Sequence, residues 1–413
     1  MAKKEKNGKR VYLDNAATTM IAPEVFEVMK PYFDQKYGNG SSLHSFGREA
    51  REAIENARKI IAKGLNAEPD EIVFTSGGTE SNNFAIKGVA FANRERGNHI
   101  IISAVEHDCV LNASKWLKEQ GFEVTMLPVD KYGIVDPKKL EKALTKKTIL
   151  VSIMHANNEI GTILPIEEYG RICRAKNVYF HTDACQSFTK VPIEVKAMSL
   201  DLVTINAHKI HGPKGVGALY IRKGVKLDPL LSGGGQEFKN RSGTENVPGI
   251  VGFGRAATLL KKEDTRRMGE LMEILIKGLL EIPETHLNGP KGDKRLCNNA
   301  SISFHFIEGE SLLMHLDMEG IAVSTGSACS SSSLEASHVL LAIGLKHEVA
   351  HGTIRFSLSK YTTKEEIQYT IRKVREVVAR LREISPLRKG IKYSTDYHEE
   401  HEYDHETDNV CER

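Results

Sequence analysis

The sequence predicts an α/β fold: a large, mostly parallel sheet with helices on both faces, followed by a smaller α/β unit. Three observations carry this. From Glu71 to Ile221, short apolar, β-branched runs alternate with helix-type stretches, the pattern of a parallel sheet built from crossovers. Beyond residue 280 a second, shorter set of strands and helices follows. Within the first set, two strand-like runs each lead to a charged group, Asp183 after Val178-Tyr-Phe-His-Thr and Lys209 after Leu202-Val-Thr-Ile-Asn-Ala-His. If those runs are neighbouring parallel strands, an amine and a carboxylate meet at the carboxyl edge of one sheet, where open α/β sheets bind ligands.

The elements follow in order. The chain opens on a strand-like Val11-Tyr-Leu-Asp-Asn-Ala-Ala-Thr-Thr19. Pro23, a residue suited to a first helical turn, starts an amphipathic helix ending near Tyr32. A glycine- and serine-rich loop spans Gly38 to Gly47, and a charged helix spans Arg48 to Lys63. The sheet then takes residues 72–75, 100–103, 124–127, 149–154, the two runs named above, and 218–221. From Val247 to Leu280 one face is apolar and the other rich in Lys, Glu and Arg, which predicts a single long helix bridging to the second unit. There, residues 300–306, 321–323 and 352–358 read as strands, flanked by helices over 310–318 and 364–381. The expected organisation is a large domain over 20–262, a small domain made of 11–19 with 263–390, and a tail over 391–413. The tail is acidic and histidine-rich without apolar periodicity, and disorder is expected for it.

A net charge of +3 gives no nucleic-acid signature. The six cysteines (Cys109, Cys173, Cys185, Cys297, Cys329, Cys411) lack the spacing of a zinc site or a disulfide framework. They read as reduced thiols of a cytoplasmic protein, with no metal in the core. The basic N-terminus has no apolar core, and no stretch approaches the ~20 apolar residues that span a bilayer, so neither secretion nor membrane insertion is expected.

A lysine after a strand is ordinarily a solvated loop charge. Lys209 instead lies between two apolar strands, with His208 before it and Gly212-Pro-Lys-Gly-Val-Gly217 after. A lysine amine forms a Schiff base with a carbonyl, and pyridoxal phosphate enzymes pair that lysine with an aspartate that keeps the pyridine nitrogen protonated. A pyridoxal phosphate site is therefore expected. Thr75-Ser-Gly-Gly-Thr-Glu-Ser-Asn82 turns a strand into a helix beginning near Glu80; free amides there, with the Thr79 hydroxyl, suit one phosphate dianion. The spacing is neither a Walker loop nor a dinucleotide fingerprint.

His107 also follows a strand, so its imidazole is placed to stack on a planar ring and pass protons near it, although a lone loop histidine is more often merely exposed. Asn158, in Asn157-Asn158-Glu159, and Gln186 are neutral groups suited to a phenol oxygen or a substrate carboxylate. Cys329 lies in Val323-Ser-Thr-Gly-Ser-Ala-Cys-Ser-Ser-Ser-Ser-Leu-Glu335, a segment with little to pack, so an exposed, mobile thiol is expected, able to reach a bound substrate and present its cargo elsewhere. Cys173 and Cys297 fit inert buried residues instead. Arg355, inside a strand of the smaller unit, suits a bidentate bond to a substrate α-carboxylate; a structural salt bridge is the competing reading. Residues 231–237 and 241–246 form glycine-rich, polar loops of the kind that complete a neighbouring subunit's site.

Taken together, this set resembles the cysteine desulfurases of the fold type I aminotransferase superfamily, in particular the class I branch that serves iron-sulfur cluster assembly. The resemblance runs from about Tyr12 to about Pro386. It rests on Tyr-Leu-Asp-Asn-Ala-Ala-Thr-Thr at 12–19, Ser-Ser-Leu-His and Phe-Gly-Arg-Glu-Ala within 41–50, and Thr-Ser-Gly-Gly-Thr-Glu-Ser-Asn-Asn at 75–83. It rests further on His-Ala-Asn-Asn-Glu-Ile-Gly at 155–161, His-Lys at 208–209, Arg-Ser-Gly-Thr at 241–244 and Ser-Thr-Gly-Ser-Ala-Cys at 324–329, whose serine-rich continuation is similar to the long cysteine loop of class I. The resemblance implies a large domain with a seven-stranded-type sheet and a pyridoxal 5'-phosphate cofactor. Lys209 is then the Schiff-base lysine, Asp183 the partner of the pyridine nitrogen, His107 the stacking residue and proton carrier, and Gln186 the partner of the phenol oxygen. Gly78, Thr79, Asn206 and His208 hold the phosphate, with Thr244 contributed across a homodimer interface.

Asn158 and Arg355 grip the carboxylate of L-cysteine, and Cys329 is the nucleophile that takes the sulfur as a persulfide while alanine leaves. An iron-sulfur scaffold protein and other sulfur acceptors are the implied partners, and the resemblance also allows Cys329 to contact a transferred cluster. Two departures stand out: Asn206 replaces a serine more usual at the phosphate, and Gly40 replaces the proline of Asn-Pro-Ser-Ser. An aminotransferase or selenocysteine lyase on the same fold would share Lys209 and Asp183 without needing Cys329; a non-catalytic scaffold would lack Lys209.

Overall fold

The structure is a computed structural model that describes residues 10–325 and 336–385; Cys329, the serines after it and the tail lie outside the described residues. In chain order the strands are β1 (Val11–Tyr12), β2 (Ile72–Thr75), β3 (His99–Ser103), β4 (Glu123–Leu127), β5 (Thr148–Ser152), β6 (Tyr179–Asp183), β7 (Leu202–Asn206), β8 (Gly217–Ile221), β9 (Thr285–Asn288), β10 (Asn299–Phe304), β11 (Ile321–Ala322), β12 (Ser324–Thr325) and β13 (Thr353–Ser357). The α-helices are α1 (Pro23–Met29), α2 (Pro31–Asp34), α3 (Ser45–Leu65), α4 (Gly78–Ala92), α5 (Asp108–Glu119), α6 (Pro137–Ala143), α7 (Ile166–Ala175), α8 (Val247–Ala256), α9 (Lys262–Leu280), α10 (Gly309–Met318), α11 (His338–Ala342), α12 (His347–His351) and α13 (Lys364–Ile384). Among the described residues, no helix is long and apolar enough to cross a membrane.

One seven-stranded sheet has the order β2-β8-β7-β6-β5-β3-β4. Strand β8 runs against both its neighbours, β2 and β7, and every other pair is parallel. Two reversals cancel, so β2 points the same way as β7. The carboxyl ends of β2, β3, β5, β6 and β7 therefore open on one edge. β6 and β7 are parallel neighbours, with Asp183 in register with Thr204, as the sequence requires if Asp183 and Lys209 are to meet.

Strands β3, β5 and β7 are buried along their whole length, because helices cover both faces of the sheet. On one face Val25 of α1, Ile54 and Ile61 of α3, Tyr169 of α7 and Phe253 of α8 share a core with Phe74, Val151 and Val203. On the other, Phe84 of α4 and Val110 and Leu117 of α5 pack on Ile100, Leu150 and Leu219. A third core lies between α9, α10 and α13 and an antiparallel sheet of order β12-β13-β10-β9, and Val11 and Leu13 near the start of the described chain join it. β1 reaches it through parallel pairing with β11.

Three expectations shift. The helix expected over 48–63 begins at Ser45, because the His44 ring takes the Gly47 N–H at 3.2 Å, and it ends at Leu65 with Asn66 in the left-handed region at φ 54°. Gly47, read as loop, is needed inside the first turn: a Cβ there would stand 2.2 Å from the Ser42 carbonyl oxygen. The single helix expected over 247–280 is two, α8 and α9, broken before an extended Lys261. Their apolar stripes serve different cores, Val247, Ile250 and Phe253 the large sheet and Met272, Leu275 and Leu279 the small one, which one straight rod cannot do. Finally, the helix after the glycine turn starts at Gly78 rather than near Glu80.

Candidate active site

The phosphate-type turn after β2 is built from glycines for steric reasons. Gly77 has φ 154° and ψ −176°, a region essentially reserved for glycine. Gly217 of β8 approaches so closely that a Cβ there would lie 2.8 Å from Gly77 Cα. Helix α4 then begins without a side-chain cap, leaving its first amides directed out of the helix. A Cβ on Gly78 would come within 2.7 Å of Cys185 Sγ, and Asn206 turns its Nδ2 to within 3.5 Å of that same point. The helix start is thus a bare cradle of donors.

Asp183, buried at the end of β6, accepts the Cys185 N–H at 2.9 Å and the Asn82 Nδ2 at 2.6 Å. The Lys209 amine, one turn beyond β7, donates to the Ala16 carbonyl, which also receives Gln186 Nε2 at 2.9 Å. His208 Nδ1 lies 3.2 Å from Thr18 Oγ1, and burial, reinforced by Lys209 and Lys214, brings its pKa down to about 4, so the ring is neutral. His107 caps α5, its Nδ1 accepting the Cys109 N–H at 3.1 Å. Burial lowers its pKa against the opposing pull of Asp183. The Cys109 thiol, 3.1 Å from both His107 Nδ1 and Asn82 Nδ2, is pushed up to about 12 by burial and Asp183.

From the small sheet, Arg355 of β13 reaches in, donating Nη1 to the Asn158 carbonyl at 3.1 Å and Nη2 to Asp14 Oδ1 at 3.0 Å; its buried Nε has no partner among the described residues. The salt bridge weighed from sequence therefore exists, and the guanidinium still has a donor to spare. Behind His107, the fully buried Glu106 carboxyl accepts Ser103 Oγ at 2.5 Å and the Met154 N–H at 2.9 Å, and burial raises it to about 8. Beside Asn158, burial raises Glu159 to about 7, where its Oε2 accepts Ser337 Oγ at 2.5 Å.

These groups converge on one cavity of about 260 Å³. Ten residues expected from sequence line it: Gly78, Thr79, His107, Asn158, Asp183, Gln186, Asn206, His208, Lys209 and Arg355. Thr244 does not; it is exposed on its own loop. Cys329 lies outside the described residues. Sequence reasoning missed Asn82, Cys109, Cys185 and Ala16, all of which line the cavity. Cys109 and Cys185 were within reach, each two residues beyond a predicted site residue; Ala16 comes from a distant part of the chain and carries no polar side chain to flag it.

The donor set fits pyridoxal phosphate. The bare α4 start, Thr79, Asn206 Nδ2 and His208 suit a dianion, Asp183 a protonated pyridine nitrogen and Lys209 an aldehyde. Comparison with known proteins agrees. Residues 11–370 match the family model for aminotransferase class-V. A protein named Cysteine desulfurase IscS from Dictyoglomus turgidum is 56% identical over 385 residues, 92% of this chain and 98% of that protein. Among solved structures, a NifS-like protein is 43% identical with a TM-score of 0.85, covering 90% of this chain and all of that one. The structure titled SspA in complex with cysteine is 39% identical with a TM-score of 0.78, covering 86% and 100%. The chain belongs to the aminotransferase class-V family, and within it to the pyridoxal phosphate-dependent cysteine desulfurases.

Proposed function

We propose that this cavity is where the chain converts L-cysteine to L-alanine, passing the sulfur to Cys329 for delivery to an iron-sulfur scaffold protein and other acceptors. The observation that carries the reading is the meeting of Lys209 and Asp183 at the ends of adjacent parallel strands, in a cavity with a bare helix start on one side and Arg355 on the other. Gly78, Thr79, Asn206 and His208 hold the phosphate, and Asp183 keeps a proton on the ring nitrogen. When bound, pyridoxal phosphate supplies a carbonyl for the substrate amine and a protonated ring that accepts electrons from the broken Cα–H bond.

Arg355 and Asn158 orient the substrate carboxylate, while Lys209 removes the Cα proton and returns it. The Cys329 thiolate attacks the substrate sulfur; an S–S bond forms, the C–S pair stays on the substrate carbon, and that carbon takes a proton to become the methyl group of alanine. His107, whose pKa burial lowers, would face the bound ring and present its proton to the site. The same reading includes a homodimer in which Thr244, exposed on the single chain, completes the partner's phosphate site, a cytoplasmic location, and the division into domains over 20–262 and 11–19 with 263–390. Mass spectrometry of the Cys329 peptide after mixing with L-cysteine, with alanine assayed in parallel, tests the reading. An adduct of one sulfur with alanine release, both lost in Cys329→Ala, is expected. Alanine without the adduct would turn the assignment to a lyase, and no alanine would remove L-cysteine as the substrate.

A further inference from the structure

Cys109 and Cys185 both line the cavity, and the reaction proposed above uses neither thiol. Cys109 meets His107 twice: its backbone N–H donates to Nδ1 at 3.1 Å, and its Sγ lies 3.1 Å from the same nitrogen. Asn82 Nδ2 donates both to that sulfur, at 3.1 Å, and to Asp183 Oδ2, at 2.6 Å. A ring nitrogen that accepts an N–H carries no proton of its own, so in neutral His107 the proton sits on Nε2. The thiol, enclosed next to Asp183, stays protonated and has an S–H to give, and Nδ1 is the acceptor beside it. Two donors share one lone pair in a three-centre bond.

We propose that Cys109 is a positioning residue for His107: its backbone N–H and its thiol together fix the imidazole with the proton on Nε2, and Asn82 ties this lock to Asp183. The lock deepens the reaction proposed above and rests on it for its catalytic meaning. His107 then serves as a fixed, neutral hydrogen-bond donor to whatever lies in the cavity, and not as a base, because taking up a proton would put a hydrogen on Nδ1 against two others. The charged and titratable groups facing it are Asp183 at the end of β6, Lys209 after β7, Asp108 on its own helix and His338 of α11. Asp183 and Asp108 favour the imidazolium, so the lock opposes a real pull.

The test is nitrogen NMR of the full-length holoenzyme labelled with 15N-histidine, with His107 assigned by the signal lost in His107→Gln. In the wild type, the Nε2–H tautomer is expected. Cys109→Ala removes one donor and raises the proton affinity of His107 about threefold to tenfold, the worth of one net hydrogen bond. Cys109→Ser keeps a hydroxyl donor in place and titrates like the wild type, which separates loss of the lock from loss of packing; melting curves verify that both variants fold. An Nδ1–H tautomer in the wild type, or an unchanged titration in Cys109→Ala, overturns the proposal. If the titration behaves as expected but no alanine forms from L-cysteine, the reaction assignment falls and the lock stands; if alanine forms and the titration does not move, the lock falls alone.

Discussion

Three consecutive residues, Glu237, Phe238 and Lys239, hold φ of 45°, 58° and 68° without a glycine among them. Each such position costs about 1–3 kcal/mol and persists only where its surroundings over-determine it. Here the fastening is one carboxylate. Glu237, 3% exposed, accepts Arg58 Nη1 and Nη2 at 2.8 Å each and the Phe74 N–H at 2.7 Å. Arg58, fully buried, gives Nη1 also to the Ile72 carbonyl at 2.6 Å and Nε to Glu55 at 3.2 Å, between the rings of Phe74 and Phe238 at 4.8 and 4.9 Å. Glu237→Ala leaves that guanidinium buried against one partly exposed carboxylate. Removing one partner of such a pair costs about 3–5 kcal/mol.

Relaxation of the three strained residues returns part of this, so a loss near the lower end, about 3 kcal/mol, is expected in urea unfolding. The segment from 231 to 246, which carries Thr244, should also become open to limited proteolysis. Arg58→Met combined with Glu237→Leu removes both charges and should recover most of the loss, since well-packed apolar replacements of buried pairs are close to neutral. A loss below ~1 kcal/mol in Glu237→Ala, with the segment still resistant to protease, would refute the reasoning, because it would mean the carboxylate does not hold the strained turn.

Glu106, raised to about 8 by burial, keeps its proton in the folded state over a range where an unfolded glutamate, near ~4.3, has lost it; stability therefore falls as pH rises from about 4.5 to about 8. Glu106→Gln cannot ionise, so its melting temperature relative to wild type should climb between about pH 5 and about pH 8, and a constant difference would contradict the assignment. Gly78→Ala places a methyl 2.7 Å from the buried Cys185 Sγ and fills the cradle, so cofactor Kd should rise at least about tenfold, beyond the loss of about 1–3 kcal/mol that overpacking costs the cofactor-free chain; full retention of cofactor after dialysis would remove the cradle from the phosphate site. Asn82→Ala leaves Asp183 Oδ2 short of a donor and should cost about 1–3 kcal/mol in chemical unfolding, whereas no loss would show that water replaces the amide.

The large sheet was legible because most of its strands lie in short apolar runs bounded by turn residues; β2 matches its sequence assignment to the residue and β7 lies within the run that leads to Lys209. The sheet-edge residues were legible for a geometric reason: in crossovers every parallel strand ends on the same side, so reading the residues just after each run yields Gly78, His107, Asn158, Asp183 and Lys209 together. What was hidden has a physical cause in each case. The break between α8 and α9 leaves the helical period intact and appears only once two cores compete for one stripe. β9, with Thr285, His286 and Asn288 around a single Leu287, lacks an apolar face and exists because β10 supplies its partners. Asp14 and Ala16 enter the site through pairing of β1 with β11 and the close approach of Ser357, contacts more than 300 residues away in sequence.

The two halves of the site differ in how they are fixed, and this bears on how the reaction can be tuned. Lys209 and Asp183 follow adjacent strands of one sheet whose both faces are covered, so their separation is set by the backbone ladder between β6 and β7. Arg355 belongs to the other sheet, yet its donors end on the Asn158 carbonyl of the large core and on Asp14 beside β1. The Arg355 Nε is enclosed and Nη2 is held by Asp14, so a carboxylate gripped by this guanidinium would compete with Asp14 for Nη2, an exchange of one carboxylate for another across a 3.0 Å contact. A shift of about 1 Å between the two cores would change that exchange steeply, since hydrogen bonds weaken over such distances, and would leave the amine and the ring partner where they are. On the reading proposed above, the packing of α9, α13 and the small sheet adjusts the Arg355 side of the cavity and leaves Lys209 and Asp183 in place on the large sheet's edge.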